Sequence, residues 1–68
     1  MELFVVYDHP SEFPEHFAVR KLKAADDGLR AVECLLFATL ESARSMLAQL
    51  GLIRVPGGDE PRLIETWV

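Results

Sequence analysis

A single cysteine, Cys34, excludes an intrachain disulfide. Small secreted domains ordinarily depend on such bridges, so a reducing, cytoplasmic compartment is expected. Long apolar runs are also missing. The sequence opens Met1-Glu2 with no basic segment, and its first apolar run, Leu3 to Tyr7, is far too short for a signal peptide or a membrane span. Basic charge is scarce: seven Lys and Arg stand against eleven Asp and Glu, for a net charge of −4. Nucleic-acid affinity comes from neutralising phosphates, and the one basic cluster is Arg20, Lys21 and Lys23. Nucleic acid is therefore a disfavoured partner, although Arg20 and Lys21 beside Phe17 could stack and pair with bases on a sheet.

Catalytic signatures are lacking as well. Ser11, Ser42 and Ser45 have no elbow motif or oxyanion-hole glycines around them, and Gly57-Gly58, the one glycine pair, is not followed by a Lys-Ser/Thr helix, so it reads as a turn. Cys34 lies mid-strand, far in sequence from either histidine, and reads as a small core hydrophobe rather than a nucleophile. The expectation is a protein that is not an enzyme and carries no cofactor.

What is present is half hydrophobic and 68 residues long, enough for a single folded domain. A chain this short hides only about 60% of its unfolded surface, and its core is worth about 3–5 kcal/mol net. Leu3-Phe4-Val5-Val6-Tyr7 reads as a strand buried on both faces, hence central or covered. Asp8 to Pro14 is a loop stiffened by Pro10 and Pro14. Phe17 to Leu22 is a second strand, and Ala25-Asp26-Asp27-Gly28 a hairpin turn.

Leu29 to Leu50 admits two readings. Leu29, Val32, Leu36, Leu40, Ala43, Leu47 and Leu50 fit one long helix. The preferred reading is a central strand over about Arg30–Ala38 followed by a helix capped by Thr39, with Glu41 in its first turn and Gly51 after its end. Leu40, Ala43, Met46, Leu47 and Leu50 make the helix's apolar stripe, while Glu41, Arg44, Ser45 and Gln49 form a solvated face. Ile53-Arg54-Val55 is a short strand, Pro56–Pro61 a loop, and Leu63–Val68 a last strand. The fold expected is α+β: one helix on a small, mostly antiparallel sheet in the order β-β-β-α-β-β.

Chemistry concentrates between Tyr7 and Phe17. Asp8, His9 and His16 are the candidate metal ligands, yet their spacing matches no known signature, and the expectation is no bound metal. The plainer reading has Asp8 capping a turn, both histidines bonded to backbone carbonyls, and Glu12 and Glu15 in water. Trp67 close to the C-terminal end implies a tail that is well packed or meets a partner. The interaction candidates are Tyr7, His9, Phe13, His16 and Trp67. Edge strands could also pair with a second copy or another protein's strand.

Several of these residues carry a family resemblance: Tyr7-Asp8-His9-Pro10, Phe13-Pro14, His16-Phe17-Ala18-Val19-Arg20, Thr39-Leu40-Glu41-Ser42-Ala43-Arg44, Gly51-Leu52, Asp59-Glu60-Pro61 and Ile64-Glu65-Thr66-Trp67. Together they resemble a family of short, uncharacterised bacterial proteins. The chain departs from that pattern at Ser42, where an acidic residue is expected, and in a less basic Ile53–Gly58 segment. The resemblance implies a small bacterial α+β domain and brings no activity, cofactor or catalytic residue. Taken together, the expectation is a non-catalytic cytoplasmic interaction or accessory domain that binds a protein partner or itself and no membrane. A small-ligand or metal module at the His9/His16 loop and a nucleic-acid-binding sheet are the alternatives.

Overall fold

The structure is a computed structural model that describes residues 2–56 and 62–68. Five strands and one helix follow in chain order: β1 Glu2–Asp8, β2 Phe17–Ala25, β3 Gly28–Phe37, α1 Leu40–Gln49, β4 Arg54–Pro56 and β5 Leu63–Trp67. The strands form one sheet in the order β3-β2-β1-β5-β4, every neighbouring pair antiparallel. The α+β architecture and element order match the sequence reading. The loop expected over Pro56–Pro61, with its Gly57-Gly58 turn, lies outside the described residues apart from Pro56, which ends β4.

β1 is the middle strand, as its unbroken apolar run implies: Val5 faces one way and Val6 the other, and both are buried. The β2–β3 turn is Asp26-Asp27, with Ala25 opposite Gly28, and Gly28 takes the positive φ of 120°. The Leu29–Ala38 ambiguity resolves as strand. Its expected position does not hold, however. β3 is an edge strand, and Cys34 is exposed rather than part of the core. Leu35 and Phe37 are the hydrophobics of this run that pack against the helix-side core, while Cys34 and Leu36 face the opposite side, which no helix of the described residues covers.

The core lies between α1 and the nearer sheet face. Val6, Val19, Ala43, Leu47 and Trp67 are its buried members, ringed by Phe4, Leu35, Phe37, Leu40, Met46, Leu52 and Ile64. Thr39 caps the helix, its hydroxyl accepting from the Ser42 amide at 3.2 Å and sharing a hydrogen bond with the Ser42 hydroxyl at 2.8 Å. Ser42 thus fills with a hydroxyl the position a capping-box acid would take. At the other end Gly51, φ 78°, donates to the Ala48 carbonyl and turns the chain out of the helix.

Because the core is a single layer, its members are not interchangeable with apolar residues on the other face. Leu47→Ala is expected to remove about 2–5 kcal/mol, most of the stability of a chain this size, and to leave it largely unfolded at 25 °C. Leu36→Ala, at a site 42% exposed, should cost under about 1 kcal/mol. Urea titrations followed by circular dichroism separate the two.

Candidate interaction face

One charge is buried in this protein among the described residues. Glu65 is 2% exposed on the helix-facing side of β5. An ionised carboxylate there needs partners for both oxygens, and it has them. Arg44 of α1 donates to Oε1 from Nε at 3.0 Å and Nη2 at 2.7 Å, and the Trp67 indole N–H donates to Oε2 at 2.6 Å. Arg44, expected on a solvated face, is instead half-buried and ties the helix to the sheet. Its donation of hydrogen bonds to Glu65 is the main cause holding the Arg44 guanidinium above the ordinary arginine range, against the effect of burial. Glu65 lines neither surface cleft described below, and its oxygens are already engaged, so the triad is a structural lock. The signal available in the sequence was an acid inside the apolar run Leu63–Trp67, but its partner lies 21 residues away.

Among the described residues no helix covers the other face of the sheet. Strand register places its side chains in rows that cross the sheet. One row runs Ala31, Leu22, Leu3, and continues through Val68 to Ile53, two residues that exchange backbone hydrogen bonds at 3.0 and 2.8 Å. The next is Cys34, Arg20, Val5, Thr66, Val55, and the last Leu36, Ala18, Tyr7, Leu63. Arg20 is the single charged side chain that these rows contain. Leu29, Val32, Leu36, Ile53, Val55 and Val68 are the large hydrophobics exposed on this side, and only Leu50, at the end of α1, is exposed elsewhere among the described residues.

The segment between β1 and β2 covers part of this face. Its amides bond in two successive turns, Phe13 to the Pro10 carbonyl at 2.9 Å and His16 to the Phe13 carbonyl at 3.2 Å. Pro10 is buried, and Glu12 reaches down to pair with Arg20, which also lies over the Tyr7 ring, 5.3 Å from its centroid. Beside it, toward β3, a cleft of about 460 Å³ is lined by Phe13, Arg20, Ala31, Val32 and Cys34, with Glu12 and Glu33 at its rim. A second, more polar recess of about 280 Å³ lies under the segment among Tyr7, Pro10, Ser11 and Arg62.

The sequence candidates separate accordingly. Tyr7 and Phe13 both belong to the helix-free side. Trp67 is turned away into the core, 8% exposed. His9 sits at the end of β1 with φ 46°, a left-handed value directly before Pro10, where extended backbone is the norm. Its ring bonds the Asp8 carboxylate and meets Phe17 edge-on at 4.7 Å, and Arg62 donates to its carbonyl. The ring therefore pairs with a carboxylate rather than the expected backbone carbonyl. His16 is half-buried at the segment's end. Among the described residues no three His, Cys, Asp or Glu side chains converge where a metal ion could be held. Arg20 and Lys21 point to opposite faces, as successive strand residues must. Lys21 pairs with Glu2 at 3.2 Å on the helix side and lies 5.9 Å from the Phe4 ring, so the two form no common basic surface. No helix among the described residues is long and apolar enough to cross a membrane.

Compared with protein-family models, curated proteins and solved structures, the chain matches none of them.

The lock makes a graded prediction. Trp67→Phe keeps the ring in the core and deletes only the donor to Glu65, which should cost about 1.5–3 kcal/mol. Trp67→Ala should cost about 3–5 kcal/mol. Arg44→Ala strands the Glu65 carboxylate and should lower the urea midpoint, whereas the exposed Leu50→Asp should leave it in place. Denaturation curves of the four variants test this order.

Proposed function

We propose that this chain is a non-catalytic interaction domain whose working surface is the helix-free face of its sheet. One observation carries the reading: rows of apolar side chains cross the sheet with a single charge among them, and that charge is already paired with Glu12. Contiguous exposed apolar surface on a small domain marks a site that meets another surface. The polar chemistry nearby is engaged internally, Arg20 with Glu12 and His9 with Asp8, which fits binding better than turnover. The exposed Cys34 thiol fits a reducing cytoplasm, where it would stay unoxidised. Acting through such a face, the protein serves as an accessory or regulatory subunit.

Formaldehyde cross-linking in cells that express the chain tests this reading. The wild type is expected to give a discrete adduct, the Ile53→Asp variant to lose it, and Leu50→Asp, changed on the helix side, to keep it. No adduct, or one that Ile53→Asp leaves untouched, would overturn the assignment of this face.

A further inference from the structure

We propose that the segment between β1 and β2 builds a site for a small organic carboxylate, with the carboxylate head between Arg20 and Arg62 and an apolar body in the cleft on β3. The proposal goes beyond the reading of the open face as a docking surface and does not rest on it, because Ile53, on which that reading is tested, lines neither recess.

The head group follows from charge. Arg20 and Arg62 both line the 280 Å³ recess, and Glu12 is its one acid among the described residues. Strand register brings the two arginines together. The Arg20 guanidinium lies over the Tyr7 ring, and Arg62 directly precedes Leu63, the β5 residue paired with Tyr7. Arg62 gives a donor to the His9 carbonyl and pairs with no carboxylate among the described residues. A guanidinium carries five N–H donors, so most of its capacity is open. A chain of net charge −4 thus holds one recess in which cations outnumber acids.

The planar guanidinium fork matches a carboxylate, and the chain already makes that match once: the Glu12 carboxylate is seated on Arg20. Glu12 stands where the ligand's head would sit. Its side chain is 59% exposed, and exposed ion pairs are worth so little that displacing this one costs a ligand at most about fivefold in affinity.

The body follows from what lies beyond that pair. Glu12 and Arg20 line both recesses, so they stand at the junction between them. The covering segment divides the same way, with Ser11 on the polar recess and Phe13 on the apolar cleft. Past the junction the 460 Å³ cleft offers Phe13, Ala31, Val32 and Cys34. Glu33 lines it as well and repels a second negative charge there, so the ligand is charged at one end and apolar at the other. Joined at the Glu12–Arg20 pair, the two recesses reach the size of small-molecule pockets. The two bonded turns from Pro10 to His16 fix the wall before a ligand arrives.

NMR titration of the full, isotope-labelled chain with phenylbutyrate is the test. Resonances of Arg20, Arg62, Ala31 and Val32 should move, with a Kd of about 1 mM for so small a probe. Phenylbutanol, the same body without the charge, should bind at least about tenfold more weakly. Glu12→Gln should tighten phenylbutyrate by about three- to fivefold, a gain that damage to the fold cannot produce. Arg62→Met, with its circular dichroism spectrum unchanged, should weaken it by about tenfold or more. No movement with phenylbutyrate, equal binding of the acid and the alcohol, or a site indifferent to both substitutions would overturn the proposal. Movement with phenyl phosphate alone would overturn it too and give the recess to phosphate. The cross-linked adduct is read separately, so failure of this site and failure of the docking face are distinguishable.

Discussion

A sheet has two faces, and the described residues hold one helix with which to cover them. Everything distinctive about the molecule follows from that shortage. Hydrophobic side chains alternate across each strand, and here both alternations are apolar: Val6, Val19 and Leu35 turn to the helix, Leu3, Leu22 and Val55 away from it. Folding satisfies the first set. The second is covered only in part: Val5 and Ala18 are buried, and the segment from Pro10 doubles back beside Tyr7 and Arg20. A domain of this size has about 3–5 kcal/mol to its name, so apolar surface left in water along both edges of one face is a large unfinished term.

The covered side is held by a contact that is polar rather than apolar. Glu65 sits at the contact between β5 and α1, with Arg44 reaching in from the helix and Trp67 from its own strand. Buried ion pairs add little net stability, yet losing one partner is costly. Their effect is to disfavour alternatives: a helix rotated to bury Leu50 would leave a carboxylate in the core without its arginine, and a β5 slipped by one residue would turn Glu65 and Trp67 out to the other face. The triad thus fixes which face of the sheet the helix takes, and by exclusion which face remains open.

Much of this was legible in the residues. The five apolar positions of Leu3–Tyr7 implied a strand covered on both sides, and β1 is the central strand. Thr39, the stripe Leu40, Ala43, Met46, Leu47 and Leu50, and Gly51 marked the helix to within a residue because capping is local chemistry, although Leu50, its C-cap, is exposed and outside the core. Reading Arg30–Ala38 as central was mistaken for an instructive reason: side-chain pattern reports whether a face is apolar, not which molecule covers it, and Cys34 and Leu36 look the same in a core as at an uncovered edge. The Arg44–Glu65 pair was invisible because helical spacing alone put Arg44 beside Glu41 and Ser45, and only the strand order brings Glu65 beneath it. In the Tyr7–Phe17 segment the residue types drew attention correctly, but Tyr7 and Phe13 went to the open face, while the His9 ring was taken up by Asp8 and Phe17.

The account stands or falls on whether the uncovered face meets another surface. Methyl resonances followed through a dilution series measure this residue by residue in the intact chain. Shifts that move with concentration for Val32, Leu36, Ile53, Val55 and Val68, with Ala43 and Leu47 constant, are the predicted result. Open-face methyls that stay fixed both at every concentration and in a concentrated lysate of the expressing cells, or movement confined to Leu40 and Leu50 on the helix, would contradict it.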